Sequence, residues 1–123
     1  MQPLNVVLLL SDSGVDQSLV SALSNSFNSV HLTRSLGELR TSVTRHRARI
    51  AILDMERASF SDVRSLSQDF PGTCIVCTHR CADEEMWAEA LKAGAADVCP
   101  SCDTSGILRA ALGNAAAPRS AAA

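Results

Sequence analysis

Apolar residues fall in two rhythms along this chain. Unbroken runs of strand length stand at Val6 to Leu10, Ile50 to Leu53 and Cys74 to Cys77, with shorter, more mixed runs at Val30 to Leu32 and Val98 to Cys99. A strand that is apolar at every position has both faces covered, so the long runs predict three central strands and the short ones two edges. Between the runs, apolar residues recur every three or four positions: Val15, Leu19, Leu23, Phe27; Leu36, Leu39, Val43; Phe60, Val63, Leu66, Phe70; Met86, Ala90, Leu91; and Ile107, Leu108, Ala111, Leu112. Each set predicts one helix. Ser13 and Asp16, Ser35 and Glu38, and Ser59 and Asp62 have capping-box spacing, and Asp83 and Asp103 stand where a cap belongs. Pro71-Gly72 closes the third helix and Gly94 the fourth. Strands alternating with helices predict an α/β fold, an open parallel sheet with helices on both faces, since each crossover returns the chain to the same edge. This unit spans residues 1–113; residues 114–123, "NAAAPRSAAA", read as an Ala/Pro-rich tail, a linker or an appended stretch.

Composition narrows the function. A chain of 123 residues holds one core. Its 11 basic and 13 acidic residues leave a net charge of -2, which excludes a chain-wide basic field for nucleic acid or an anionic membrane. The local stretch Arg40, Arg45, Arg47, Arg49 has no interleaved aromatics and predicts a solvated helix face, not direct nucleic-acid binding. No apolar run approaches the ~20 residues that span a bilayer, and no secretory signal is seen, so the chain reads as cytoplasmic, without membrane contact. Five cysteines, an odd number, predict reduced and mostly buried thiols.

Ligand sites of such sheets lie beyond the carboxyl ends of the strands. There the first strand leads into "LSDSG" with Asp12, the third ends on Asp54, the fourth leads into "CTHR" with Thr78, and the fifth into "CPSCD". Two carboxylates at one edge repel unless a proton or a cation joins them, which suggests a hard divalent ion such as Mg²⁺ between Asp12 and Asp54. The Thr78 hydroxyl would hydrogen-bond an oxygen-rich group beside it.

On these residues the chain resembles the CheY-like receiver domain of two-component response regulators, over roughly residues 4 to 113. The order of elements, Asp12, "AILD" ending in Asp54, Thr78 and "ALKAGAADV" carry the resemblance. It implies a flavodoxin-like sheet in the order 2-1-3-4-5, with Asp54 as phosphoacceptor from a histidine kinase or phosphotransfer protein of a bacterial phosphorelay. It further implies Mg²⁺ held by Asp12, Asp54 and the Glu56 backbone carbonyl, with Thr78 reading a phosphoryl oxygen. The domain is then regulatory, not an independent enzyme, limited to self-catalysed phosphoryl transfer and dephosphorylation. Its output contacts, to an effector or a second copy, lie on the fourth and fifth helices near Trp87.

Three positions depart from the family pattern. Ser11 replaces the first of two adjacent acids, Val98 the aromatic switch residue, and Ser101 the lysine that pairs with the phosphoryl group. The one lysine, Lys92, belongs to the fourth helix. Losing a charge-assisted contact removes about 1.5–3 kcal/mol, so phosphorylation is expected to be weak or absent without another cation. Arg80 is the candidate compensating cation, and pairing with Glu56 is its alternative. Two other readings stay open: a phosphate-independent pseudo-receiver that docks or dimerises, and a cysteine-based metal or redox sensor. The spacings Cys74-x-x-Cys77 and Cys99-x-x-Cys102 look like zinc knuckles, but residues i and i+3 on a strand face opposite ways. That leaves Cys77 or Cys81 with Cys99 or Cys102 as the candidate thiol site.

Overall fold

The computed structural model describes residues 2–10 and 17–116. The strands are β1 (Gln2–Leu9), β2 (Phe27–Thr33), β3 (Ile50–Asp54), β4 (Cys74–His79) and β5 (Asp97–Pro100). The helices are α1 (Gln17–Ser26), α2 (Leu36–His46), α3 (Phe60–Asp69), α4 (Glu84–Ala93) and α5 (Thr104–Ala116). The strands are all parallel and form one sheet in the order β2-β1-β3-β4-β5, as expected.

The uniformly apolar strands form the centre because they have two cores to fill. Val7, Leu9, Ala51, Leu53, Ile75 and Cys77 pack with Leu39 and Val43 of α2, Val63 and Leu66 of α3, and Ala90 and Ala93 of α4. Their alternate neighbours Val6, Leu8, Ile50, Ile52, Cys74 and Val76 pack with Leu19 and Leu23 of α1 and Ile107, Ala110 and Ala111 of α5. Each fully buried Leu or Ile adds about 1.5–3 kcal/mol, so β1, β3 and β4 anchor both layers.

The helix ends follow the cap chemistry. Ser35 accepts from the Glu38 backbone N–H, Ser59 and Asp62 form a complete capping box, and Asp83 and Asp103 accept from the N–H groups of Met86 and Gly106. Gly94 ends α4 at φ 119°, where a Cβ would also collide with the Ser67 side chain of α3. The Ser13–Asp16 spacing and Val15 lie outside the described residues.

Two boundaries differ from the sequence pattern. Phe27, which continues the periodicity of the first helix, is instead the first residue of β2 and fully buried. The helix stripe and the strand's inward face meet the same core, so the apolar rhythm crosses the junction unbroken. At the other end, α5 runs to Ala116, beyond residue 113, because alanines extend a helix readily.

An unforeseen polar cluster fastens the C-terminus of α2 to β1 and β2. The rings of His31 (β2) and His46 (α2) stack 3.6 Å apart at 5°. Asn5 Nδ2 donates to the His46 carbonyl at 2.6 Å, Ser29 Oγ donates to Asn5 Oδ1 at 2.6 Å, and Ser29 Oγ lies 3.0 Å from His31 Nε2. Burial, with His46 adding to it, holds the His31 pKa below its ordinary 6.5. The unfolded chain therefore binds the His31 proton more readily, and stability present above about pH 6.5 is lost as pH falls through the lower folded value. Urea unfolding measured from about pH 7.5 to 5 should show this decline, and His31→Gln should flatten it; an unchanged pH slope would remove His31 from the account.

Candidate functional site

Asp54 is the last residue of β3, and only 1% of its surface is exposed. The turn that follows provides its local support: Glu56 N–H donates to Asp54 Oδ1 at 2.8 Å, and Arg57 N–H donates to the Asp54 carbonyl at 2.8 Å. Among the described residues no donor meets Oδ2. A buried carboxylate held this way is stiff yet has lone pairs to spare.

The sheet register places Thr78 of β4 directly beside Asp54, and Cys99 of β5 beside Thr78. Thr78 is likewise 1% exposed. Its backbone carbonyl accepts from Met55 N–H at 2.8 Å, tying the β3 turn to β4. Ser101 follows β5, its N–H bonded to the His79 carbonyl at 3.0 Å. Thr78 Oγ1 and Ser101 Oγ are buried atoms with no hydrogen-bond partner among the described residues. Leaving a buried hydroxyl unmet costs about 1–3 kcal/mol, so each of the two calls for a hydrogen-bonding atom beyond the described side chains, water included.

Arg80 and Glu56 pair at 2.6 Å, with the arginine side chain 74% exposed and the glutamate 25%. The arginine two residues after Thr78 and the glutamate two residues after Asp54 thus close on each other. Ser11 and Asp12 lie outside the described residues. Val98, half-buried, donates its N–H to Asp97 Oδ1 at 2.8 Å and packs against the α2–α3–α4 core.

The cysteines separate as strand geometry requires. Cys74 enters the core under α1 and α5, Cys77 the core under α2, α3 and α4, and Cys99 the former. Burial pushes the Cys77 thiol to about 12, with Cys99 adding to it. Burial first, then Asp97 and Asp103, push Cys99 to about 11, with Arg109 opposing. Both are protonated at neutral pH and poor nucleophiles or metal ligands. Cys81 and Cys102 are exposed, and His79 Nδ1 accepts from the Cys81 N–H at 3.0 Å. Among the described residues, no group of three or more His, Cys, Asp or Glu side chains is placed to hold a metal ion.

The unmet Ser101 hydroxyl and the His31–His46 stack escaped sequence reasoning. Alignment to "GAADVCPSCD" marks Ser101 only as a missing lysine, and no local spacing links the histidines. No described helix is long and apolar enough to cross a membrane.

No family model matches the sequence, and no curated protein does. Solved structures do match. The signal receiver domain of NarL from Mycobacterium tuberculosis superposes with a TM-score of 0.80 at 19% identity, over 94% of this chain and 98% of that one. The response regulator RcsB of Salmonella typhimurium gives 0.77 at 14%, over 94% of this chain and 60% of that one. The isolated REC domain of RcsB from Salmonella enterica serovar Typhimurium, in the presence of the phosphomimetic BeF3⁻, gives 0.74 at 15%, over 92% and 90%.

The thiol arrangement is open to direct test. Ellman's reagent should titrate Cys81 and Cys102 rapidly in the folded protein and reach Cys74, Cys77 and Cys99 only on unfolding. Fast reaction of Cys77 in native buffer would contradict its burial.

Proposed function

We propose, from the premise that this chain has the receiver fold of response regulators, that it is a signal-transduction module whose phosphoacceptor is Asp54 and whose output is protein–protein contact. The observation that carries this reading is the register pair Asp54 and Thr78, a nearly buried carboxylate beside a hydroxyl with no partner among the described residues. In the transfer, a carboxylate oxygen of Asp54 attacks the donor's phosphorus in line, the donor bond breaks with its electron pair, and an acyl phosphate forms. Thr78 Oγ1 and Ser101 Oγ are suited to donate to the phosphoryl oxygens, each meeting a hydrogen-bonding need it lacks otherwise. The partner supplying the group is a histidine kinase or phosphotransfer protein.

The oxygen donors of Asp54 fit a hard divalent cation, with the Glu56 backbone carbonyl and Asp12 completing the proposed set. Mg²⁺, when bound, supplies positive charge to the phosphoryl oxygens. Of the two positions weighed for a compensating charge, Ser101 stands in place of the lysine, and Arg80 is engaged by Glu56. This pairing favours a second reading, a pseudo-receiver that docks without phosphate.

Intact mass after incubation with a small phosphodonor and Mg²⁺ separates the readings. The first expects a single phosphoryl adduct that Asp54→Ala abolishes; no adduct, under conditions that label an ordinary receiver, would leave the docking module. If Arg80 is the compensating cation, Arg80→Ala should slow labelling about tenfold, the kinetic equivalent of losing a charge-assisted bond of ~1.5 kcal/mol. Glu56→Gln, which releases Arg80, should accelerate it. Unchanged rates in both variants would deny Arg80 the role.

A further inference from the structure

At the amino edge of the sheet, the length of β3 away from Asp54 (~16 Å for five residues), the ends of α2 and α3 border a groove of about 510 Å³. Val43, Ala48, Phe70 and Pro71 give it an apolar wall, and Arg47, Arg49 and Asp69 are its charged side chains. Arg40 pairs with Asp69 and sets its guanidinium 5.4 Å from the centre of the Phe70 ring, so the acid is already met. Arg47 and Arg49 are exposed, and neither guanidinium has an ion-pair or hydrogen-bond partner among the described residues. Their backbones, in contrast, are fixed. Arg47 N–H donates to the Val43 carbonyl as the cap of α2, Arg49 N–H donates to the Asn5 carbonyl at 3.2 Å, and the Arg49 carbonyl accepts from Cys74 N–H at 2.7 Å. Arg47 adopts φ 50°, and among the described residues no other non-glycine has positive φ. Glycine suits that backbone better, so the turn itself does not call for an arginine.

The other acids of the bordering elements lie away from the groove. Glu38 and Asp62 stand in the first turns of α2 and α3, at their opposite ends, and Asp54 closes the opposite end of β3. On α4, which packs against α3, Glu84 and Glu85 occupy the first turn and Glu89 lies 3.7 Å from Lys92. The carbonyls at the negative ends of α2 and α3 oppose an anion, yet those of Val43, His46 and Leu66 already accept from Arg47, Asn5 and Phe70. We infer that this groove binds a small organic anion, an apolar ring carrying a phosphate-like group. Guanidinium forks match phosphate oxygens, and two of them two residues apart on one wall can meet a single doubly charged group while the ring lies on the apolar wall. The volume falls within the ~300–1,000 Å³ of small-molecule pockets. The site needs neither Asp54 nor Mg²⁺, so it stands or falls apart from the function proposed above.

The probe is 1-naphthylmethylphosphonate, whose phosphorus–carbon bond keeps it from acting as a phosphodonor, titrated by calorimetry without Mg²⁺. Saturable one-to-one binding is expected, with inorganic phosphate and 1-naphthylmethanol each at least about tenfold weaker, since each lacks one half of the recognition. Backbone amide signals of residues 43–49 and 69–73 should shift, and those of 54–57 and 78–80 should not. Arg47→Gly should weaken binding about fivefold while holding or raising the urea midpoint, because glycine relieves the left-handed backbone. Arg49→Gln should weaken binding by about as much, whereas Asp69→Asn, which removes the groove's acid, should tighten it about twofold. No binding, unchanged affinity in both arginine variants, weaker binding by Asp69→Asn, or signals that shift only around Asp54 would overturn the inference. So would inorganic phosphate that binds as tightly as the phosphonate, or an Asp–Leu peptide that binds more tightly.

Discussion

The double-sided burial of β3 is the constraint on which the carboxyl edge depends. Ile50 and Ile52 lock into one helical layer, Ala51 and Leu53 into the other, and the strand cannot shift without emptying both cores. A slip of one residue would exchange the faces of every side chain. The register with β4 is therefore strongly specified, and it brings Thr78 beside Asp54. The carboxylate gains its rigidity from aliphatic packing beneath it and only its final orientation from the turn through Glu56 and Arg57.

Apolar packing up to the strand ends leaves polar side chains there dependent on one another or on what enters from outside. Two solutions coexist at this edge. Arg80 and Glu56, reaching from successive turns, neutralise each other near solvent. Thr78 and Ser101, too short to reach past the edge, retain hydroxyls that no described residue meets. A lysine at position 101 would bring a permanent positive charge into this space, and a serine brings a dipole. This edge of the sheet thus offers hydroxyl dipoles where a lysine would offer formal charge.

The same sheet sets two chemically different flanks. Near α2, arginines gather and the His31–His46 stack joins helix to edge strand. Near α4 and β5, Asp83 and Glu84 line a groove with the half-exposed indole of Trp87. Small net charge conceals this division, which governs association more directly than the total does.

Much of this arrangement was legible in the sequence, because the periods that define strands and helices are local. The two-faced strands, the caps at Ser35, Ser59, Asp83 and Asp103, and the carboxylate closing "IAILD" all follow from residues a few positions apart. Strand geometry alone also separates Cys74 from Cys77. Other features are decided by contacts across long stretches of chain. The pairing of Asp54 with Thr78 needs the register of two strands; the unmet Ser101 hydroxyl needs the closing of β5 on β4; the stack of His31 on His46 needs α2 to cross the β2 edge. Trp87 shows the limit most plainly. It borders the apolar stripe of its helix, and only the packing of α4 against the sheet determines that half of the ring stays outside, since a helical period assigns a face but not how far the neighbouring strand extends beneath it.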